Sequence, residues 1–563
     1  MANVRGQQMA AKSGRGGRGE GMRDVFLRSM IGRRRAGIER RALIAATLGG
    51  LGMYAAGFSH AKAEAAPLAA KDDPFTLGVA SGDPQPDGVV LWTRLAPEPL
   101  ALDGSGGMAD QRVNVRWELA RDEHFKTAIK EGQAPAVPEL GHSVHVEVNG
   151  LKPGREYFYR FRTGGFESPV GRTRTAPASS SDLQQVRFGV ASCQVWWGGF
   201  YSAFKHLAED DLDVVFHLGD YIYENVIPAD GLHRKTALPT EIRNEPLTLA
   251  EYRNRHALFR TDPDLQAAHA AVPFVHTWDD HEVDDNWAGD ISRDVGQDPA
   301  EFRLRRAAAA QAYYENLPLR LPQKPNGADI TLYRKLTYGK LATFHVLDGR
   351  MFRDDQACGD GAKADCEERL DPARTMLGFG QEDWLHDGVV NSGTTWNILA
   401  NQVPMTQCDL DTGAPLPLFM DAWDGYKPAR DRLFQAFTEG NGANAVVISG
   451  DRHRHMASDL KANFDDPDSR TVAVEFTGTS VTSGQDGADL DEHDTTVLAA
   501  NPHVKFMSSR RGYVRMTVTP DRCQSDHLVM PYVSTPGAPI STRATLVTEA
   551  GNPGLQLDTE SRT

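Results

Sequence analysis

Five carboxylates fall within seven positions of the stretch FVHTWDDHEVDDNWAGD, residues 274–290. They belong to Asp279, Asp280, Glu282, Asp284 and Asp285. Like charges this close repel one another, and burying them without a partner costs far more free energy than a fold can supply. The stretch is therefore either a solvated acidic turn, as most such runs are, or part of a site that binds cations.

Side chains that can bind metal ions also follow other short apolar runs of the sequence. These residues are Cys193, Asp220, Tyr223, Asp280, His281, Asn286, Asp451, His453 and His455. Carboxylate and amide oxygens suit hard cations such as Ca²⁺ or Mg²⁺, whereas a thiolate, a phenolate and an imidazole suit a transition metal, Fe³⁺ especially. The mixture predicts two metals of different character, with Asp220 able to bridge them.

Each of these residues also has an ordinary structural explanation. Cys193 ends an apolar run and could be a buried core thiol. Tyr223 could pack with its hydroxyl satisfied by the backbone, and Asp220 and Asp451 could cap helices. Arg350 could belong to a surface ion-pair network. Because all of these explanations would have to hold together, the joint pattern favours a metal site.

The elements that must position these residues are short β-branched runs that end in polar residues. Seven such runs occur, among them VRFGVASCQ (186–194), DVVFHLGDYIYE (213–224) and NAVVISGDRHRH (444–455). Continuous apolar runs indicate strands buried on both faces, so helical segments such as FRLRRAAAAQAYYENL must cover the sheets. We expect an α/β architecture in which the strand ends converge on one polar site.

Residues 74–178 have a different pattern, which is typical of a small all-β unit. Runs such as VNVRWELA and EYFYRFRT alternate apolar and polar residues between turns rich in Gly, Pro and Asp. The string VNGLKPGREYFYRFRTGG resembles a strand pair of an immunoglobulin-like or fibronectin-III-like sandwich. The following TAPASSSDLQQ, residues 175–185, is typical of a linker.

Charge divides the 563-residue chain into a basic head and an acidic body. The first 63 residues carry ten Arg and two Lys against three acidic residues, whereas the whole chain is at −15, so the remainder is at −24. An acidic body argues against binding to nucleic acid or to an anionic membrane surface. The negative charge is consistent with a protein whose site binds cations.

The basic head, residues 1–63, is expected to be a signal segment. Arg40-Arg41 directly precede the uncharged stretch 42–58, and residues 61–63 (AKA) match a small-residue cleavage site. The pattern resembles a twin-arginine signal, which implies the twin-arginine export machinery as a partner and a periplasmic or extracellular location. The uncharged stretch is too short and too rich in glycine for a membrane-spanning helix, so we expect no stable span.

Five cysteines are an odd number, which in an exported protein leaves at least one unpaired. Cys358 and Cys366 flank the short polar loop GDGAKAD and are candidates for a local disulfide. Cys408 and Cys523 could form a second disulfide or could be reduced core residues. Cys193 is then left over.

Four strings, GDYIYE, DPDLQAAHAAVPFVHTWDDHEVDDNW, LDGRMFRDDQ and SGDRHRH, resemble those of the PhoD-type alkaline phosphatase family. The resemblance extends over residues 74–548. It implies an exported metallophosphoesterase, with a small all-β sandwich at 74–178 before a catalytic domain at 186–548. The implied fold of the catalytic domain is α/β, a metallophosphoesterase-like β-sandwich core flanked by helices.

The resemblance also implies roles for individual residues. The implied metal ligands are Cys193, Asp220, Tyr223, Asp280, Asn286, Asp451 and His453. Asp220 would bridge Fe³⁺ and Ca²⁺. Tyr223 and His453 would bind the iron, and Asp451 the calcium.

Two further residues are expected to act on the substrate, and two depart from the family pattern. His281 is expected near the leaving group as a proton donor, and Arg350 is a candidate phosphate clamp. Arg452 stands where family members usually have Val. His455 is an additional histidine with no counterpart in the motif.

The predicted function is that of an exported alkaline phosphatase, acting on small or polymeric phosphate esters through a metal-activated hydroxide at a Fe³⁺/Ca²⁺ centre. Alternatively, the same site could serve a phosphodiesterase that acts on a cell-wall polymer or, like a phospholipase D, on phospholipid. A binding protein that stores Ca²⁺ is a third hypothesis. It is disfavoured because a pure Ca²⁺ site has no use for a Cys, a Tyr and a His among the acids.

Overall fold

The structure is a computed structural model that describes residues 72–230, 233–413, 417–439 and 444–561. Two stacked β-sheets with helices on their outer faces form the larger part, and a smaller group of strands precedes them in the chain. The predicted signal segment, residues 1–63, lies outside the described residues.

The first eight strands cover the region predicted to be all-β. They are β1 (Val79–Gln85), β2 (Gly88–Arg94), β3 (Val113–Ala120), β4 (Ala128–Ala136), β5 (Ser143–Asn149), β6 (Glu156–Thr163), β7 (Phe166–Glu167) and β8 (Gly171–Arg174). One sheet contains β3, β4, β6, β7 and β8, whereas β1, β2 and β5 pair with one another in a second. Leu91 of β2, Leu119 of β3 and Phe161 of β6 share one apolar core. The region is therefore a β-sandwich, which confirms the prediction of an all-β unit.

Sixteen strands follow in the described part of the chain. They are β9 (Val186–Ala191), β10 (Val214–His217), β11 (Phe274–His276), β12 (Arg334–Tyr338), β13 (Ala342–Val346), β14 (Ala362–Lys363), β15 (Trp396–Ala400), β16 (Leu418–Phe419), β17 (Ala445–Ser449), β18 (His455–Lys461), β19 (Thr471–Thr477), β20 (Val504–Ser508), β21 (Arg511–Val518), β22 (Arg522–Met530), β23 (Ser541–Glu549) and β24 (Asn552–Glu560). The strand order is β24-β23-β22-β21-β9-β10-β11-β1-β2-β5 in one sheet, which therefore includes three strands of the N-terminal region, and β12-β13-β15-β17-β19-β18-β20 in the other. Strands β9 to β11 are parallel, as are β13, β15, β17 and β19.

Eight α-helices occur among the described residues. They are α1 (Ser202–Glu209), α2 (Thr240–Arg243), α3 (Leu249–Arg260), α4 (Pro263–Ala271), α5 (Pro299–Asn316), α6 (Phe379–Val390), α7 (Lys427–Ala436) and α8 (Glu492–Ala500). Side-chain caps set several of their starts. Thr248 and Glu251 form a capping box at α3, and Asp262 and Asp298 cap α4 and α5, which both begin with proline.

The main core lies between the two large sheets. The ring of Phe344 on β13 packs against those of Phe188 on β9 and Phe216 on β10, with ring centroids 5.1 and 4.6 Å apart. Residues of α1, α3, α4 and α5 form a second core on the outer face of one sheet, and residues of α6 and α7 form a third on the other sheet. This arrangement confirms the predicted β-sandwich core flanked by helices.

The N-terminal sandwich is joined to the sheet that contains β9 to β11. Strand β1 pairs with β11 at one position, where Gly82 lies opposite Phe274. A β-carbon at Gly82 would lie 2.5 Å from the carbonyl oxygen of Pro318, so only glycine fits this approach. The backbone pairing thus continues from the sandwich into the larger α/β region.

The cysteines match the expectations from the sequence in part. Cys358 and Cys366 form the predicted disulfide. Cys408 and Cys523 are free and lie in different apolar cores, so the suggested pairing of these two is wrong. Cys193 is free and buried. No helix among the described residues is long and apolar enough to cross a membrane.

Candidate metal centre

Parallel strands of both large sheets end at the candidate site. Cys193 follows β9 by two residues and Asp220 follows β10 by three. Asp279 and Asp280 come after β11, and Asp451 follows β17 by two residues. The carboxyl ends of parallel strands meet at one edge, which is why residues distant in sequence come together here.

Three groups of donor atoms lie close enough together to hold metal ions. They are Cys193, Asp220 and His453; Asp220, Asp280 and His281; and Asp279, Asp280 and Asp451. Within each group the ligand atoms lie within 4.8 Å of one another. Asp220 and Asp280 each belong to two of the groups, which is the position that a bridging carboxylate requires.

Buried carboxylate oxygens without partners indicate that this centre fits cations. Oδ1 of Asp220, Oδ2 of Asp279 and Oδ1 of Asp280 make no hydrogen bond with the described residues, although all three side chains are buried. Burial raises the pKa of the Asp220 and Asp451 carboxyl groups well above the usual value, and the neighbouring carboxylates raise it further. Bound cations would satisfy these oxygens and favour the ionised carboxylates.

The Tyr223 hydroxyl lies among the donors of the first group. It donates to Oδ2 of Asp220 at 2.8 Å and lies 3.1 Å from Nε2 of His453. The hydroxyl of Ser483 donates to the same phenol oxygen at 2.7 Å. Ser483 was not predicted from the sequence, because it follows the polar end of β19 in a Ser/Thr-rich loop without a distinguishing spacing.

His281 is held by a carboxylate that was likewise not predicted. Its Nδ1 lies 2.8 Å from Oε2 of Glu224, and its ring packs against that of Tyr223 in a tilted arrangement, with the ring centroids 4.2 Å apart. Burial alone would lower the pKa of His281, but Asp280 and Glu224 more than offset this and hold it well above the usual value. Glu224 closes the GDYIYE string, so its proximity to the site was the available signal.

The acidic stretch divides into two kinds of carboxylate. Glu282 accepts the backbone N–H groups of Asp220 and Asp279 at 3.1 and 2.7 Å, and it therefore fixes both loops. Asp284 pairs with Arg305 at 3.0 Å, and Asp285 forms an ion pair with Arg293. Only the first two carboxylates of the run, at positions 279 and 280, belong to the described groups that could hold a metal. The first of them was not among the predicted ligands.

Five of the predicted ligands have a left-handed backbone conformation, which is uncommon outside glycine. They are Cys193 (φ 59°), Asp220 (φ 54°), Asn286 (φ 51°), Asp451 (φ 63°) and His453 (φ 55°). Such conformations cost about 1–3 kcal/mol each and are concentrated at functional sites. The strained turns after the strands direct these residues toward the centre.

The structure contradicts Arg350 as a phosphate clamp. Its Nε donates to Asp279 at 2.5 Å, and its two terminal nitrogens donate to Asp421 at 2.9 Å. The side chain is fully buried, and Arg353 donates to the same Asp421 carboxylate at 2.6 Å. Arg350 therefore stabilises the carboxylates of the site. Each of its three guanidinium nitrogens already donates to one of them and is not directed at a substrate.

Asn286 and His455 make different contacts from the central donors. The backbone N–H of Asn286 donates to Asp280 at 2.8 Å, while its side-chain Nδ2 donates to Asp360 at 2.9 Å. His455 lies in β18, where its Nδ1 is 3.0 Å from Nδ1 of His527 and its Nε2 is 3.2 Å from the Leu528 carbonyl oxygen. The additional histidine is thus a buried sheet residue, outside the three donor groups.

Comparisons with known proteins agree with this geometry. The PhoD-like phosphatase profile matches residues 188–527, and the profile of the PhoD-like phosphatase N-terminal domain matches residues 60–177. Alkaline phosphatase D of Bacillus subtilis (strain 168) is 50% identical over 483 residues, which cover 86% of this chain and 82% of the relative.

Solved structures show the same fold. The structure of PhoD matches with a TM-score of 0.84 at 48% identity and covers 88% of this chain and 94% of its own. The purple acid phosphatase PPD1 from yellow lupin (Lupinus luteus) seeds matches with a TM-score of 0.51 at 13% identity, covering 84% of this chain and 74% of its own, which is a likeness of fold alone.

The stacked sheets and the clustered metal-binding side chains define a phosphoesterase of the metal-dependent class. Within that class, the chain belongs to the PhoD-like phosphatase family, and it is a phosphatase of the PhoD type.

The lack of a side chain at Gly219 leaves the space that Asp279 occupies. A β-carbon at Gly219 (φ +112°) would lie 2.3 Å from Cβ of Asp279, so Gly219→Ala must displace that residue. We expect kcat/KM for p-nitrophenyl phosphate to fall about a hundredfold, because small misplacements of catalytic groups are costly. Gly165→Ala is the matched control, since Gly165 also has a positive φ (+88°) but a β-carbon there would have no atom within 4 Å. Equal activity losses in the two variants would contradict this expectation.

The bracing role of Arg350 predicts a loss of stability in Arg350→Gln. The change leaves buried carboxylates without their cation, which is expected to lower the free energy of unfolding by about 3–5 kcal/mol. Arg303→Gln, which breaks exposed ion pairs with Asp290 and Asp329, should cost at most about 1 kcal/mol. Denaturant unfolding of both variants measures the difference. Unchanged stability with a raised KM would restore the phosphate-clamp interpretation.

Proposed function

We propose that the centre holds Fe³⁺ beside Ca²⁺ and that the enzyme uses this pair to hydrolyse phosphate esters. The mixed set of donor groups carries the proposal. A thiol, a phenol and an imidazole, from Cys193, Tyr223 and His453, lie on one side of Asp220. Such donors suit Fe³⁺.

The other side of the centre is made of carboxylates. Asp279, Asp280 and Asp451 bring their oxygens together, and oxygen-only sites suit Ca²⁺. Arg350 offsets part of their charge from behind, which leaves the inward oxygens free for an ion. Asn286 contributes its backbone N–H to Asp280 and would complete this part of the site.

Two side chains of the protein, Glu224 and His281, would position and donate the proton that the leaving group receives. When bound, the ions would lower the pKa of a water molecule and offset the charge of the phosphate oxygens. Glu224 fixes the His281 ring through Nδ1, which leaves Nε2 to donate a proton to the leaving oxygen. Asp220 would contribute to both metal positions, and Tyr223, which donates to Oδ2 of Asp220, would bind the iron.

The domain limits and the export route belong to the same proposal. Residues 1–63 would be a twin-arginine-type signal, followed by an all-β domain at 74–178 and the catalytic domain at 186–548. The profile matches at 60–177 and 188–527 support the two domains. The Arg40-Arg41 pair supports the twin-arginine export machinery as a partner and a periplasmic or extracellular location.

Iron bound to Tyr223 predicts a coloured enzyme. A phenolate on Fe³⁺ gives a visible charge-transfer band, which should disappear in Tyr223→Phe and persist in Tyr221→Phe. Tyr221 is a suitable control because its hydroxyl is equally buried but contacts His269 and Arg260. Absorption spectra of the purified proteins make the comparison. A colourless wild type with full activity would exclude iron.

Calcium in the carboxylate part of the site predicts sensitivity to a Ca²⁺-selective chelator. Excess EGTA should abolish turnover of p-nitrophenyl phosphate, and added Ca²⁺ should restore it, because the carboxylates would lose their compensating charge. Steady-state rates before and after chelation measure this. Activity that persists in excess EGTA would reject the calcium assignment.

A further inference from the structure

The GDRHRH segment carries two arginines in different situations. Arg454 is engaged, since its Nη1 lies 3.0 Å from Asp491 and 2.5 Å from Asp494. The guanidinium of Arg452 makes no hydrogen bond or ion pair with any residue that the structure describes. It lies over the ring of Phe419, 5.2 Å from the ring centroid, and is half-buried.

Arg452 is next to the metal centre along the chain. Its two neighbours, Asp451 and His453, both belong to the groups of donor atoms. Left-handed turns at these neighbours direct their side chains inward. Arg452 points instead toward the strand pair formed by β14 and β16, which contains Phe419.

The β14–β16 strand pair borders the site. Asp360, two residues before β14, accepts a hydrogen bond from Asn286, and Asp421, two residues after β16, accepts from Arg350. A cation that stacks on Phe419 therefore lies at the rim of the metal centre.

Other arginines around the centre are already paired among the described residues. Arg350 and Arg353 both donate to Asp421. Arg511 donates to the carbonyl oxygen of His453 at 2.7 Å and to Ser480 at 2.6 Å. Of these four arginines, Arg452 is thus the one whose donors have no partner among the described residues and remain available to an incoming anion.

We propose that Arg452 binds a second phosphate group of the substrate, next to the phosphoryl group that is hydrolysed. A guanidinium matches phosphate oxygens in a two-pronged geometry, and stacking on an aromatic ring orients it. The corresponding substrate class is bisphosphates, in which a second phosphate monoester lies near the one that is hydrolysed. The proposal rests on the phosphatase function of the same site and deepens it.

A matched pair of substrates tests the proposal. 1,3-Propanediol bisphosphate and 1,3-propanediol monophosphate share the reacting phosphate ester and differ in the second phosphate. We expect Arg452→Gln to lower kcat/KM for the bisphosphate about tenfold and to leave that for the monophosphate within about twofold. Arg452→Lys should keep part of the preference. Arg470→Gln removes the same charge from an exposed position and should change neither value.

Each outcome of the test is decisive. Equal losses for both substrates would mean that Arg452 acts on the reacting phosphoryl group or on the metal ligands, and this would overturn the proposal. An unchanged kcat/KM for both substrates would mean that Arg452 is only a surface cation, and this result would also overturn the proposal. A wild-type enzyme that hydrolyses neither substrate, in a protein with intact iron and calcium content, would instead contradict the phosphatase function proposed for the site.

Discussion

Buried negative charge is the constraint on which the rest of the site depends. Asp220, Asp279 and Asp280 are buried and Asp451 beside them is partly buried, and three oxygens of these side chains have no hydrogen-bond partner among the described residues. Each unpaired buried ion costs several kcal/mol even after relaxation. Arg350 and His281 supply two positive charges, which is less than the carboxylates require. Cations bound among the inward-facing oxygens would offset the remaining negative charge, which is why the centre fits metal ions.

The two-sheet architecture explains how one centre can draw donors from such distant parts of the chain. Strands β9 to β11 belong to one sheet and β17 to the other, and a rigid aromatic core between the sheets fixes their separation. The turns after these strands carry a local backbone strain that the packed strands can sustain. Gly219, where any side chain would collide with Asp279, is part of the same close packing.

The fold and the central donors could be predicted because both leave local signals in the sequence. Buried strands appear as apolar runs, and the donor residues Cys193 and Asp220 follow two of them after two and three residues. Residues whose roles depend on tertiary contacts were missed. Ser483 does not differ in its local pattern from an ordinary polar residue, and Glu224 is marked only by its place at the end of the GDYIYE string. Within the acidic stretch, only partners from other elements, such as Arg305 for Asp284, decide which carboxylates face a metal.

Arginine shows most clearly why sequence position does not determine role. Arg350 has the residue type of a phosphate ligand and lies near the site, but all of its nitrogens are committed to carboxylates in a fully buried position. Removing such a cation disturbs the charge balance of the protein itself. Arg452 keeps its donors free because its neighbours Asp451 and His453 point inward and its own side chain packs on an aromatic ring at the rim. The fully buried Arg350 thus stabilises the carboxylates of the centre, whereas the half-buried Arg452 has donors that an incoming anion can reach.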